Sequence, residues 1–469
     1  MKAGKKNRFI VCMMAVALLF SMTGCSKSKA ETTTDAGVAA GTETPATTAP
    51  TTKADGKADQ NTTAALGAEN ITDANVTEIT FWYSWTDQIQ QNNIDLTEEF
   101  NETVGKEKGI HVTAEYQGSY VDLHQKLQAA YVAGTTPAVT VMEIASIETF
   151  AANGVLEPLD PYIEATGTDM SDFQQGLMQN SYYNGGCYGL PYLRSTPIMY
   201  MNTTLLEQAG LDKTGPKTWD ELKEYITTVH DKTGKYGLTQ YGYIWTLEAF
   251  MLEHGSSLLN ADETATNLNS AEGKEIIRFF KELADAGAVH MISSAETDKV
   301  MMDVMNQNCA IWFGSTGDLT NCLKVAADNG FEVATSFIPM DKQYGVPTGG
   351  CNLIMTSSIS DKEKQAAWEF ISWMTETEQT IKASTNTGYL PSRISAIEND
   401  AMVSLYEQVP QFKVALDQLT YGTGRPMNPG YAEASDAIED TLDAIWVNNA
   451  DIDSTLAELE KKVNGLLNE

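Results

Sequence analysis

The sequence predicts an α/β protein built on a parallel sheet with crossover helices. Ile79 and Phe81 alternate with Glu78 and Thr80, the two-residue period of a half-buried strand. The same period recurs at Val112, Ala114 and Tyr116, and Val139-Thr140-Val141-Met142 is a more continuously buried run. Between these strands lie helical patterns, Ile89 to Val104 and Tyr120 to Ala133, the second closed by Gly134. Strand, helix, strand, helix, strand within about 65 residues is the signature of parallel strands joined by crossovers.

Later segments are more helical. Thr218 and Glu221 form a capping box ahead of Leu222, Tyr225, Ile226 and Val229. Ile276, Ile277, Phe280, Leu283 and Ala284 make an apolar stripe ending at Gly287, and Ala366, Ala367, Phe370, Ile371 and Met374 make another. Pro197 to Asn202 follows the strand-like Tyr188 to Leu193, and Cys309 to Phe313 precedes Gly314-Ser315-Thr316-Gly317. Each of these two apolar strands is a candidate connection between two α/β lobes.

Composition removes several function classes. The chain has 469 residues, 63 acidic and 31 basic, for a formal charge of −32. A surface this acidic repels a phosphate backbone, which excludes nucleic acid. Mean hydropathy is −0.26, and only the first 24 residues read as a hydrophobic targeting signal, which excludes a polytopic membrane protein.

That signal sets the compartment. Lys2, Lys5, Lys6 and Arg8 precede twelve apolar residues, Phe9 to Phe20, and then Met22-Thr23-Gly24-Cys25. The arrangement resembles a bacterial lipoprotein signal, with Met22 where Leu is usual. The resemblance implies cleavage before Cys25 and lipid attachment to its sulfur. Ser26 to Asn70 holds 11 Thr and 11 Ala, and no aromatic residue falls between Ser26 and Thr80. Such a segment buries too little apolar area to offset its ordering entropy, so residues 25–75 read as a lipidated Cys25 and a flexible tether. From Val76 onward 23 basic residues face 56 acidic ones, a charge of −33.

Catalytic apparatus is not legible. His111, His124, His230, His254 and His290 form no metal-spaced pair, and no HExxH, GxSxG or P-loop occurs. No metal or cofactor is implied. Cys187, Cys309, Cys322 and Cys351 survive signal cleavage and read as buried, unpaired small hydrophobes, although a Cys309–Cys322 bridge is compatible with an oxidising compartment. Glu143 interrupts an apolar run at the carboxyl end of a parallel strand, the edge where open α/β sheets bind ligands. It reads either as an acceptor for ligand hydroxyls or as a helix-start residue. Gly314 to Gly317 opens a helix predicted over Asp318 to Ala327, and reads either as a nest for a hydroxyl or anion or as a turn capped by Ser315.

Further motifs carry a family resemblance. They include Phe81-Trp82-Tyr83-Ser84, Gly118-Ser119-Tyr120, Ala133 to Ala138 running on through Glu143, and Ser195-Thr196-Pro197 through Asn202. Ala209 to Asp212, Pro216 to Trp219, Asn308 to Ala310, Ser315 to Gly317, Gly349-Gly350 and Thr387 to Pro391 continue the series. In order and spacing, from Thr77 to Trp446, the chain resembles an extracellular solute-binding protein of an ABC importer, of the sugar and sn-glycerol-3-phosphate-binding type.

The resemblance implies six ligand contacts: Tyr120, Glu143, Ser195, Ser315, the backbone of Gly350, and Tyr389. One contact of the glycerol-phosphate binders does not carry over, because their phosphate-pairing arginine position falls on Ser435. Arg425 or Arg194 would have to substitute, and without a bidentate cation a phosphate is poorly compensated here. That favours a neutral carbohydrate or polyol over glycerol 3-phosphate or a glycerophosphodiester. Aromatic residues fit that ligand. Trp85 and Trp245 are candidate platforms for sugar faces, while Trp82 and Trp312 read as core.

The resemblance implies two α/β lobes of periplasmic-binding-protein type with the ligand between them. Lobe 1 is expected over 76–193 plus 315–348, and lobe 2 over 194–314 plus 349–469, with Tyr389 facing Glu143 from lobe 2. The expected protein is a monomer, lipid-anchored outside the cell membrane, that closes on its solute and docks on the importer's permease subunits. A secreted glycoside hydrolase using Glu143 and an Asp is the rival class.

Overall fold

Residues 76–469 are described by the computed structural model; the signal, Cys25 and the tether lie outside the described residues. The alternation read at the start of the body produces β1 (Thr77–Tyr83), in which Ile79, Phe81 and Tyr83 turn inward and Trp82 turns out to donate to Glu115. Next come α1 (Asp87–Phe100), β2 (Ile110–Tyr116), α2 (Tyr120–Ala133) and β3 (Val139–Glu143). Ser119 and Asp122 form a reciprocal capping box at α2, and Gly134 ends it at φ 70°, where a side chain would be strained.

Further on lie β4 (Leu190–Ser195), β5 (Pro197–Asn202), α3 (Trp219–Thr233) and β6 (Tyr236–Tyr241). They are followed by α4 (Ile244–Glu253), α5 (Ala271–Asp285), β7 (Val289–Ile292) and β8 (Cys309–Ser315). The chain continues with α6 (Leu319–Asn329), β9 (Val333–Ser336), β10 (Gly349–Met355), α7 (Asp361–Met374) and α8 (Thr377–Thr387). Helices α9 (Tyr431–Trp446) and α10 (Ile452–Leu466) complete it. At α3 the predicted capping box is half formed. Thr218 accepts from Glu221 N, but the Glu221 carboxylate bonds Lys217 N instead of the cap residue.

The strands make two five-stranded mixed sheets, ordered β2-β1-β3-β10-β4 and β9-β5-β8-β6-β7. In the first, β2 and β3 run parallel to β1, and β10 runs antiparallel between β3 and β4. Phe81, Phe100, Phe370 and Trp373 fill the space between that sheet and its helices α1 and α7, with rings edge to face. The second sheet packs Leu222, Ile226, Ile276, Ile277 and Phe280 from α3 and α5, and Ile438 and Leu442 from α9.

The strand pairing corrects the expected lobe bounds. The passage between sheets lies at Ser195–Pro197, two residues past the expected bound, because Arg194 and Ser195 still pair with β10 in the first sheet. Gly314–Ser315 is not a passage: it stays in the second sheet, paired antiparallel with Ile198 and Pro197, and the chain returns through α6 to pair β9 with β5. Residues 315–336 therefore belong with the second sheet. Residues 349–355, with α7 and α8, belong with the first. The chain then leaves the first sheet a second time, because α9 and α10 pack on the second.

Arg194 holds these passages together. It is fully buried, and its guanidinium donates to Gly349 O (2.9 Å), Asn352 Oδ1 (3.2 Å), Thr348 Oγ1 (3.1 Å) and Leu177 O. Its own carbonyl accepts from Leu390 N. Burial lowers its pKa to about 10, which leaves it charged at neutral pH. Arg194 is thus a structural tie between crossing segments and does not line the cavity described below, so it does not supply the phosphate cation the sequence left open for it. Cys187, Cys309, Cys322 and Cys351 are all buried and free, so Cys309 and Cys322 do not bridge.

Replacing Arg194 by Met keeps the volume but strands several buried acceptors, each worth roughly 1–3 kcal/mol. Urea unfolding of Arg194→Met is expected to show a loss of at least about 3 kcal/mol with little change in slope. A loss under about 1 kcal/mol would contradict this reading of Arg194.

Candidate functional site

A cavity of about 540 Å³ opens between the two sheets, within the roughly 300–1,000 Å³ typical of small-molecule sites. All nine side chains or backbones nominated from the sequence stand on its wall: Trp85, Tyr120, Glu143, Ser195, Trp245, Ser315, Gly350, Tyr389 and Arg425. They arrive from different elements. Trp85 precedes α1, Tyr120 opens α2, Glu143 ends β3, Ser195 ends β4, Trp245 lies in α4 and Ser315 ends β8.

Glu143 takes the helix-start role and stands on the cavity wall. Its Oε2 accepts from Ala145 N at 3.0 Å, capping the turn that follows, while Oε1 accepts from Arg425 Nη1 at 3.0 Å. Burial raises its pKa, and the Arg425 charge opposes that rise. Arg425 also grips Glu248 bidentately, Nη2 to Oε1 at 2.9 Å and Nε to Oε2 at 3.2 Å. Burial works against the Arg425 charge, but these carboxylates hold it firmly protonated. The Tyr431 hydroxyl donates to Glu248 as well. Asn180 fixes the Arg425 backbone through both its N–H and its carbonyl. The cation nominated for a phosphate is therefore already engaged by two carboxylates. Ser435, the position the resemblance gave for a phosphate arginine, donates back to Tyr431 O inside α9.

The aromatic wall is larger than the sequence reading anticipated. Trp85 is 40% exposed, sits at φ 72° and meets Tyr120 edge to face at 5.2 Å. A bulky residue in the left-handed region is strained, and such strain concentrates at functional sites. Trp245 is buried; its Nε1 donates to Thr348 O, and a Cβ at Gly349 would stand 2.4 Å from its ring. Trp312 is buried as expected, stacked on Tyr200, yet it also borders the cavity. Tyr241 and Tyr243, at and just beyond the carboxyl end of β6, were missed. The aromatic-glycine-aromatic run after a strand was the available signal.

Tyr389 departs from expectation. It does not face Glu143 from the second lobe but follows α8 out of the first and packs in the first sheet's core. It also touches the second sheet's side, because a Cβ at Gly317 would lie 2.6 Å from the Tyr389 ring. Gly388, at φ 104°, lets the chain turn there, and a Cβ would meet Thr316 O at 2.5 Å. Gly350 is held by a similar approach, with a Cβ only 1.9 Å from Leu193 O. Ser315 acts as a cap: its Oγ accepts from Gly317 N and its N–H donates to Asp318.

Tyr120 has a buried hydroxyl without a hydrogen bond of normal length. Behind its ring lies His124, stacked at 6.3 Å, with Nε2 also unpartnered. Among the described residues no group of His, Cys, Asp and Glu is arranged to hold a metal.

This arrangement belongs to a known class. Residues 95–412 match the family described as bacterial extracellular solute-binding protein, and the chain belongs to that family, one of transport binding proteins and not of enzymes. Among characterised relatives, the sn-glycerol-3-phosphate-binding periplasmic protein UgpB of Brucella abortus is 25% identical over 351 residues, covering 71% of this chain and 79% of that protein. Its namesake from Pectobacterium atrosepticum is 22% identical over 416 residues, covering 83% and 91%. The crystal structure of UgpB from Mycobacterium tuberculosis in complex with glycerophosphocholine superposes with a TM-score of 0.75 at 24% identity, covering 84% of this chain and 98% of that one. The cyclic alpha-maltosyl-1,6-maltose binding protein of Arthrobacter globiformis gives 0.70 at 24% identity, covering 84% and 99%. These likenesses establish the two-lobe periplasmic-binding-protein fold.

Burial lowers the His124 pKa to about 4. An unfolded histidine titrates near 6.5, so the folded chain binds fewer protons between those values. The His124 contribution to stability is full above about pH 6.5 and is lost as pH falls toward 4. His124→Phe keeps the ring and removes the titration. Its melting temperature is expected to fall less than the wild type's across that window, and parallel curves would contradict the assignment.

Proposed function

We propose that this protein captures a carbohydrate or polyol-type solute in the cleft, closes its lobes on it, and presents it to the permease subunits of an ABC importer. The observation that carries the reading is the cavity wall. Eight aromatic residues (Trp85, Tyr120, Tyr241, Tyr243, Trp245, Trp312, Phe313 and Tyr389) line it together with three carboxylates, hydroxyls and glycine backbone. Rings stack on sugar C–H faces, while Glu143 and the hydroxyls accept and donate to ligand hydroxyls. Closure follows the hinge mechanism of two-lobe binders, with the segments around Thr196, Thr348 and Tyr389 absorbing the rotation.

A second reading, a glycerophosphodiester, is favoured by the relatives named for sn-glycerol 3-phosphate and by the glycerophosphocholine complex. The protein acts, in this reading, as a monomer tethered to the outer face of the cell membrane through lipid on Cys25. Cys25→Ser is expected to shift the protein from the membrane fraction to the medium. Unchanged membrane retention would sink the anchor.

Glu143 and Tyr389 are proposed as ligand contacts. Once a thermal-shift screen of sugars, polyols and their phosphates identifies a ligand, calorimetry on Glu143→Gln and Tyr389→Ala is expected to show losses of roughly ten- to a hundredfold. Wild-type affinity in both variants would remove these residues from the site.

A further inference from the structure

The guanidinium of Arg425 is the one basic group on the cavity wall among the described residues, and its bidentate edge is turned to a residue outside the wall, Glu248. We propose that Glu248 sets the charge preference of the cleft: by occupying Arg425 it denies a cation to anionic ligands, so the cleft takes a polyol without net negative charge and rejects its phosphate ester. The inference rests on the solute-binding reading above and deepens it.

A phosphate recognised by arginine uses two parallel N–H donors. On Arg425 that pair, Nε and Nη2, goes to Glu248, and Nη1 goes to Glu143. Turning the pair toward a ligand would strand Glu248, whose side chain is 5% exposed, as an uncompensated buried charge. The rest of the wall offers no substitute cation. Asp87 and Asp318 also border the cavity, both exposed to it. Asp87 sits in the first turn of α1, so the positive end of that helix is already matched by a carboxylate. Three wall carboxylates thus share the cavity with one guanidinium whose Nε, Nη1 and Nη2 all bond to carboxylates.

What remains available suits uncharged hydroxyls. Tyr120 borders the cavity, and its buried hydroxyl lies beside Cys351 and Tyr389 without a hydrogen bond of normal length. It is a neutral donor and acceptor, and leaving it unmatched is unfavourable until a ligand supplies the missing bond. Glu248 therefore acts on the ligand through Arg425, as a positioning residue and by denying the alternative.

The test measures a ratio of affinities, which a merely structural role would not move. Glycerol and neutral mono-, di- and trisaccharides are titrated calorimetrically beside their phosphate monoesters, with glycerophosphocholine as a zwitterion of zero net charge. The wild type is expected to bind its neutral solute at least about tenfold more tightly than the corresponding ester. Glu248→Gln is expected to narrow that ratio by at least about tenfold, and Glu248→Asp to keep it near the wild-type value. Should Glu248→Gln melt too low to titrate, Glu248→Met, which keeps the length of the side chain but removes its charge and both acceptors, frees the same edge of the guanidinium and is expected to narrow the ratio too. A wild type that prefers the ester, or a ratio unmoved by either variant, overturns the inference while leaving the solute-binding reading intact. Binding by no member of the panel overturns the carbohydrate reading and the inference with it.

Discussion

Arg425 is the group around which the cleft is organised. Its side chain reaches Glu143 at the end of a first-sheet strand and Glu248 in a helix beside the second sheet. Its backbone is fixed by Asn180. A buried ion pair of this kind contributes little net stability against a well-packed apolar replacement, but breaking it is costly because a charge is left unpaired. The arrangement therefore resists change more than it adds stability. It holds Glu143 at a defined place on the wall, and it fixes the sign of the cavity.

A second constraint comes from the passages between the lobes. Thr196, Thr348 and the segment entering Tyr389 meet around Arg194, which bonds to their neighbours from a fully buried position. Backbones approach so closely here that Gly349, Gly350 and Gly388 admit no Cβ without meeting Trp245, Leu193 or Thr316. Such contacts fix the cavity-facing residues next to them, Ser195, Gly350 and Tyr389, at the junction of the two sheets.

Much of this was legible in the sequence, and the parts that were not have a common cause. The first five elements follow from local period, capping and glycine position, which depend on neighbours a few residues away. The error at Gly314–Ser315 arose because a buried apolar strand ending in glycine looks alike whether the chain leaves the sheet or turns back into it. What decides is the antiparallel pairing of β5 with both β8 and β9, and local period does not encode it. The cavity residues were named mainly through family resemblance. The resemblance did not supply the state of Arg425, because its partners lie 177 and 282 residues away in sequence. Tyr389 was placed on the wrong side for the same reason that moved residues 349–387 to the first lobe.

The central claim is that solute enters between the two sheets without displacing Arg425 from its carboxylates. A crystal structure of the protein with the tightest-binding member of the solute panel tests it directly. The account predicts ligand hydroxyls on Glu143 and Tyr120, rings of the aromatic wall against the ligand, and Arg425 still bidentate to Glu248. Ligand density outside the cleft, or an Arg425 swung away from Glu248 onto an anionic ligand group, would contradict it.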